Sequence, residues 1–280
     1  MVLESLTTPL KSVQHPYQLF LVGFIYATVG IFLSYWVFRA QAGIVMVLFI
    51  VLMSVPLFYQ TMKREESQVM KYAKEKDILH AHAQVVRFFV FFFIGLTVAF
   101  ALWFIVLPNE VVINVYSIQA QTISSLNQQV TGGAAEIGLF SRIFFNNMKV
   151  LIFSLLFSFL FGSGAIFILA WNASVIGTAM GSFFTSTLPI LLHKSINEAG
   201  AYLIAGALSL LRYFLHGIPE ILAYFVGGIA GGILSVAIIN KDVLKRTDRI
   251  LTDFSDLLLI ALLFLLVAGL LEVFVTPLFF

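Results

Sequence analysis

The sequence has 280 residues, of which 60% are hydrophobic and 11% are charged, with a formal net charge of +2 and no cysteine. A soluble domain is about 45–50% apolar and about 25% charged, so this composition is typical of a membrane protein and excludes most soluble enzyme folds. The absence of cysteine excludes disulfides and thiolate metal sites, and so small a net charge does not indicate nucleic-acid binding.

Several stretches without Asp, Glu, Lys or Arg are as long as the roughly 20 residues that one membrane crossing needs. In chain order they predict an all-α, polytopic bundle of about seven transmembrane helices, at 17–38, 41–59, 88–107, 149–171, 198–216, 219–240 and 256–276. The bilayer therefore holds most of the chain, and little sequence is left for a soluble catalytic domain.

Clusters of basic residues predict the orientation, because Lys and Arg concentrate in cytoplasmic loops. They follow the second and the sixth predicted helix: Lys63, Arg64, Lys71, Lys74, Lys76 and Arg87, then Lys241, Lys245, Arg246 and Arg249. We therefore expect a multi-pass protein of the cell membrane with a cytoplasmic amino terminus and an extracytoplasmic carboxyl terminus.

This topology divides the chain into three regions. Residues 1–108 hold three spans and a charged, cytoplasmic helix at 60–86 that extends the second span. Residues 109–139 form an extracytoplasmic loop whose spacing of apolar residues is loosely that of a half-buried helix. Residues 140–280 form a carboxyl-terminal membrane domain.

Residues 173–192 are the difficult part of this assignment, because the uncharged stretch from 150 to 193 has the length of two crossings. An eighth span would move the basic residues 241–249 outside, against the charge rule. The segment is rich in small and hydroxyl residues and contains Pro189. We therefore expect a re-entrant or interfacial piece, buried against protein.

Six polar residues from three parts of the chain fall at one predicted membrane level. Ionisable groups at the centre of a span cost about 2.5–3.5 kcal/mol each, so their placement is informative. We predict that they meet in one polar cluster near the outer face, the alternative being that each is a separate interfacial anchor. The six residues are Asn146, Asn147, Arg212, His216, Glu220 and Glu272.

The stretch Arg-Tyr-Phe-Leu-His-Gly-Ile-Pro-Glu at 212–220 predicts a tight turn between two helices. Gly217 suits a helix end, and Pro219 suits the first turn of the next helix. Such a turn would favour a positive His216 and a negative Glu220 at the two helix ends. It is either a capped hairpin or a site that handles protons or cations.

Two overlapping G-x-x-x-G patterns follow in the next helix. Small residues at this spacing let helices approach closely in lipid. They predict packing inside the protein or, as the alternative, a homodimer face. The four residues are Gly227, Gly228, Gly231 and Gly232.

No pattern of a metal or nucleophilic centre is found. The chain has five histidines and no H-E-x-x-H, and it has no G-x-S-x-G or Walker A sequence. We therefore expect no metal, no cofactor and no enzymatic activity.

The carboxyl half, over residues 140–280, resembles the stage II sporulation protein M family of integral membrane proteins. The resemblance rests on Asn146-Asn147, Gly162, Gly164, Asn172 with Gly177, and the stretches 216–221, 227–232 and 272–277. It implies that the chain is similar to a membrane anchor that gathers cell-wall-degrading partners in sporulating cells, while most relatives have no settled role. The family supplies no agreed catalytic residues.

We therefore expect a scaffold or assembly component that binds partner proteins and forms a homodimer. The alternative is a channel, transporter or permease-like subunit with an outward-facing vestibule around His216 and Glu220.

Overall fold

The computed structural model describes residues 17–69, 75–130, 136–161, 165–194, 197–239 and 243–279. Five residues used in the sequence predictions lie outside the described residues: Lys71, Lys74, Gly162, Gly164 and Lys241.

These ranges contain eight α-helices and no β-strand, which confirms the all-α fold. The helices are α1 (Gln18–Val37), α2 (Ala42–Val69), α3 (Glu75–Val106), α4 (Asn109–Val130), α5 (Glu136–Phe161), α6 (Ala165–His193), α7 (Glu198–Ile239) and α8 (Val243–Leu270). A 3₁₀ turn, Arg39–Gln41, joins α1 to α2, and α8 is followed by a π-helical turn, Leu271–Val275, and a 3₁₀ turn, Thr276–Leu278.

Seven of the described helices are long and apolar enough to cross a membrane, so the expected number of spans is confirmed. They are Gln18–Val37, Arg39–Thr61, Ala83–Val106, Ile137–Phe159, Ala165–His193, Glu198–Ser235 and Ile250–Leu278. Their bounds depart from the predicted ones after residue 130, because the predicted span 149–171 is divided between α5 and α6. The predicted spans 198–216 and 219–240 form one helix, and α6 supplies the seventh candidate span instead.

Residues 173–192, expected as a re-entrant or interfacial piece, instead form most of the continuous helix α6. Their hydroxyl groups do not interrupt the helix, because they bond to backbone carbonyls of the preceding turn. Thr178, for example, donates to the carbonyl of Ser174 at 2.7 Å. A hydroxyl satisfied in this way needs no water, so the segment is compatible with lipid.

The helix-turn-helix predicted at 212–220 is wrong, because α7 continues without interruption from Glu198 to Ile239 with Pro219 inside it. In water, Gly217 and Pro219 would favour a helix end. In hydrocarbon, an interruption exposes backbone groups that no water can satisfy, so transmembrane helices tolerate proline. His216 and Glu220 therefore lie in mid-helix and not at an outer turn.

Helix α3 is central to the first half of the bundle and packs against α1 and α6. Its phenylalanines form an aromatic cluster with Phe58 of α2 and Phe225 of α7. The ring centroid of Phe89, for example, lies 4.6 Å from that of Phe58 and 5.3 Å from that of Phe225. In the second half, α7 packs against α5, α6 and α8. This arrangement brings the middle of α7 next to the turns that follow α8.

Candidate functional site

A π-helical turn after α8 carries the first part of the candidate site. The hydroxyl of Thr276 donates to the carbonyl of Leu271 at 3.0 Å, across the five-residue separation of the turn. Glu272 lies within this turn and is half-buried. π-Helical turns are rare and often occur at functional sites.

The middle of α7 supplies the second part. The phenol of Tyr224 donates a hydrogen bond of 2.7 Å to Oε1 of Glu220, one helical turn earlier. Glu272 is near enough to interact electrostatically with both Glu220 and Tyr224. Two carboxyl side chains, one from α7 and one from the π-helical turn, therefore lie in the same part of the structure.

His216 connects the same two elements, because its Nδ1 lies 3.3 Å from the hydroxyl oxygen of Thr276. When the hydroxyl hydrogen of Thr276 points to the carbonyl of Leu271, this contact needs the His216 tautomer that is protonated at Nδ1. We call His216, Glu220, Tyr224, Glu272 and Thr276 the polar site.

The structure thus brings together three of the six residues predicted to form a cluster: His216, Glu220 and Glu272. Arg212 lies one turn from His216 on α7, near enough to interact with it electrostatically. Its guanidinium lies over the ring of Phe183 on α6, 4.8 Å from the centroid.

The two predicted asparagines lie on α5. Asn147 is buried, on a stripe of α5 that faces α7 and also holds Leu151 and Ser154; Asn146 is half-buried beside it. Ser154 donates to the carbonyl of Tyr224 at 2.9 Å. Asn147 is therefore two helical turns before a residue that contacts the backbone of the polar site, and the prediction of one cluster of all six stays a prediction.

Sequence reasoning missed Tyr224 and Thr276, although a signal for both existed. Each lies four residues after a glutamate, Glu220 or Glu272, and residues at this spacing share a helix face. A hydroxyl one turn from a carboxyl group in an apolar span is a natural hydrogen-bond donor.

The glycine-rich part of α7 packs against α5. A Cβ at Gly231 would meet the backbone oxygen of Leu155, and a Cβ at Gly227 would meet the side chain of Leu151. A Cβ at Gly228 would lie 2.9 Å from the Cβ of Ala165, at the start of α6. Gly232 is also buried. Leu151 lies against Gly227 and Leu155 lies against Gly231, so α5 and α7 run in the same direction.

Helix α4 lies in the region that the sequence predicted only as a loosely helical loop, 109–139. The hydroxyl of Tyr116 donates to the carbonyl of Phe100 at 3.0 Å. Nε2 of Gln119 donates to the carbonyl of Gly43 at 2.9 Å and to the hydroxyl of Ser174 at 3.2 Å. Burial raises the pKa of Tyr116, which keeps its hydroxyl protonated as a donor. Side chains of α4 are thus fixed to α2, α3 and α6.

The described residues contain no group of three or more His, Asp or Glu side chains that could hold a metal ion. The hydrogen bonds within the polar site join its members to one another or to backbone.

Comparison with known proteins decides the family. The model of the family described as stage II sporulation protein M matches residues 84–277, which is 194 of the 280 residues. The chain belongs to the stage II sporulation protein M family. The match begins within α3, well before residue 140, so the family resemblance is confirmed and covers more of the chain than the sequence motifs indicated.

The chain is also similar to an uncharacterized protein of Methanocaldococcus jannaschii, with 26% identity over 142 residues. The aligned part covers 49% of this chain and 71% of the relative. No solved structure matches the chain. Membership of the stage II sporulation protein M family and the seven apolar helices together indicate a membrane protein.

Proposed function

We propose that this member of the stage II sporulation protein M family is a non-enzymatic scaffold of the cytoplasmic membrane. In this proposal the amino terminus is cytoplasmic, the carboxyl terminus is extracytoplasmic, and α4 with the residues after it, up to 139, binds partner proteins outside the cell. The observation that supports it most is the way α4 is held.

Helix α4 is attached rigidly, through buried groups. Val115, Tyr116 and Gln119 are all at most 1% exposed, and Gly43 approaches so closely that a Cβ there would lie 2.9 Å from the carbonyl oxygen of Val115. A binding surface that is already ordered loses less conformational entropy when a partner binds. This rigidity supports a docking role for α4.

The opposite face of α4 is exposed, nearly uncharged and mostly polar, with Ile113, 69% exposed, as its large apolar side chain. Glu110 lies near its start, and Gln121, Ser124 and Ser125 follow along the exposed side. Side chains of this kind form hydrogen bonds at the rim of protein interfaces. A protein partner is therefore a better match for this face than lipid.

The polar site has a structural role in this proposal. Tyr224 and Glu220 bond to each other within α7, and the contact of His216 with Thr276 links α7 to the turns after α8. Such closed pairs support a scaffold more than they support the transport alternative, which needs a hydrated path to the carboxyl groups.

We also propose a homodimer. Because Gly227, Gly228 and Gly231 of α7 already pack against α5 and α6, a dimer must use another face.

Site-specific photo-crosslinking in the native membrane tests the scaffold. We expect a photoreactive residue at Gln121 or Ser124 to give discrete adducts with another protein. A photoreactive residue at Leu259, a 64% exposed side chain on α8, is the control and should give none. We further expect Gln121→Arg combined with Ser124→Arg to abolish the adducts at an unchanged protein level.

Two results would contradict the proposal. One is the absence of protein adducts from every exposed position of α4. The other is proton or cation flux into liposomes that contain the purified protein, provided that Glu220→Gln removes the flux; this result would support the transport alternative.

A further inference from the structure

An open groove of about 740 Å³ lies on the outward face of α1, lined by residues from Thr28 to Trp36 and, at one end, by Arg39. Ligand sites in proteins have volumes of about 300–1,000 Å³, so the groove is large enough for a small ligand or part of a larger one. It is separate from both the polar site and α4's exposed face.

The floor of the groove has no unsatisfied polar group among the residues that form it. The hydroxyl of Thr28 donates to the carbonyl of Phe24 at 2.8 Å and accepts from Nε1 of Trp103 at 3.0 Å. The rings of Phe32 and Trp103 pack edge to face at 4.7 Å. The surface that remains, with Val29 and Leu33, is apolar and suits a hydrocarbon chain.

The end of the groove is different, because it combines a cation with aromatic rings at the junction of two spans. The guanidinium of Arg39 lies over the ring of Tyr35, 5.2 Å from its centroid, and Trp36 is 83% exposed. Tyr and Trp are enriched where a span meets the headgroups. Arg binds phosphate through several N–H donors, so its side chain suits the phosphate of a headgroup.

We propose that this groove binds one anionic phospholipid, with an acyl chain along Val29, Phe32 and Leu33 and the headgroup phosphate at Arg39. The apolar part of the groove would contact the acyl chain, and Arg39, at the end of the span, would contact the negative headgroup at the membrane surface.

A second copy of the chain is a poorer occupant of the same groove. Copies in one membrane share their orientation, so a twofold contact through α1 would bring the two Arg39 side chains to the same depth. The two positive charges would then repel each other. An anionic lipid neutralises Arg39 instead.

Fluorescence quenching by lipids with brominated chains tests the proposal. The protein, in a Trp171→Phe background that leaves Trp36 and Trp103 as the fluorophores, is placed in phosphatidylcholine vesicles. A small, equal fraction of either brominated phosphatidylglycerol or brominated phosphatidylcholine is then added. We expect a preference for the anionic lipid of about five-fold, the value for one basic residue at a membrane surface.

Matched variants assign the preference to this groove. We expect Arg39→Gln to remove it, Arg39→Lys to retain most of it, and Lys149→Gln, at another exposed cation, to leave it unchanged. Equal quenching by both lipids in the unsubstituted protein overturns the proposal, as does loss of the preference in Lys149→Gln.

The absence of native cysteine allows a direct test of the competing occupant. Copies carrying Leu33→Cys should not form disulfides with each other in the membrane. Efficient disulfide formation would show that a second copy fills the groove, and it would also overturn the proposal.

Discussion

At the scale of single residues, hydroxyl groups supply hydrogen bonds to the polar side chains in these apolar spans. Tyr224 donates to the carboxyl group of Glu220, and Thr276 contacts His216 and donates to the backbone carbonyl of Leu271, in the π-helical turn that carries Glu272. A buried polar group without a partner costs about 1–3 kcal/mol. The hydroxyls reduce this cost, so they are as much a part of the site as the charged residues.

Replacement of Tyr224 by Phe tests this role. The change removes the donor to Glu220 and leaves the aromatic ring in place. Hydrogen bonds between side chains in membrane proteins contribute about 0.6 kcal/mol on average and about 1.7 kcal/mol at most. We therefore expect Tyr224→Phe to lower the free energy of unfolding by about 0.6–1.7 kcal/mol. It is measured by titration of the purified protein with SDS.

The matched control is Tyr202→Phe on the same helix, where the tyrosine is 53% exposed. We expect no measurable change in this variant. Equal stability of Tyr224→Phe and the unsubstituted protein would show that the bond to Glu220 does not stabilise the fold.

At this scale, the sequence identified candidate site residues where charged residues are rare. His216, Glu220 and Glu272 could be selected because a charged residue in a long apolar stretch stands out, and the structure brings these three together. Tyr224 and Thr276 were harder to select, because tyrosine and threonine are common in spans and only their spacing from Glu220 and Glu272 distinguishes them.

At the scale of helices, close contact between backbones determines how α5 and α7 pack. A Cβ at Gly231 would lie 3.1 Å from the Cβ of Ser158 and nearer still to the backbone oxygen of Leu155. Backbone cannot move aside as the end of a flexible side chain can. The contact between α5 and α7 therefore depends on the absence of a side chain at this position.

We expect Gly231→Ala to destabilise the protein by about 1–3 kcal/mol, the usual cost of overpacking. Gly206→Ala on the same helix is the control, because no atom lies within 4 Å of a Cβ built there. It should be neutral, or stabilising by up to about 1 kcal/mol through helix propensity. Thermal unfolding of both variants in one detergent compares them, and equal losses of stability would contradict the packing argument.

Helix ends were predicted less well than helix number, for a physical reason. Gly217 and Pro219 carry the signals that end helices in water, where solvent can satisfy the freed backbone groups. Lipid offers no such compensation, so α7 continues through them. Similarly, the serines and threonines of α6 bond to their own helix, and a polar sequence there does not indicate an irregular chain.

At the scale of the whole molecule, seven candidate spans place the two ends of the chain on opposite sides of the membrane if each of them crosses once. The proposed topology follows from this number together with the basic residues at 63–87 and 241–249. It also determines whether the exposed face of α4 can meet an extracytoplasmic partner.

Cysteine labelling tests this topology, since no native cysteine needs to be removed. We expect a membrane-impermeant maleimide to label Ser125→Cys in intact cells, and to label Ser67→Cys and Thr247→Cys only after the membrane is opened. A permeant maleimide should label all three and serves as the control. Labelling of Thr247→Cys in intact cells would contradict the proposed orientation.

The unbroken course of α7 has a consequence for its place in the bilayer. At 1.5 Å per residue, the 38 residues of Glu198–Ser235 extend about 57 Å, nearly twice the roughly 30 Å of a typical hydrocarbon layer. Large apolar side chains near its start are exposed, including Leu203 at 75%. The length of α7 does not all lie in the hydrocarbon, because His216 contacts Thr276, six residues after α8 ends, so that the residues before His216 extend past the end of α8.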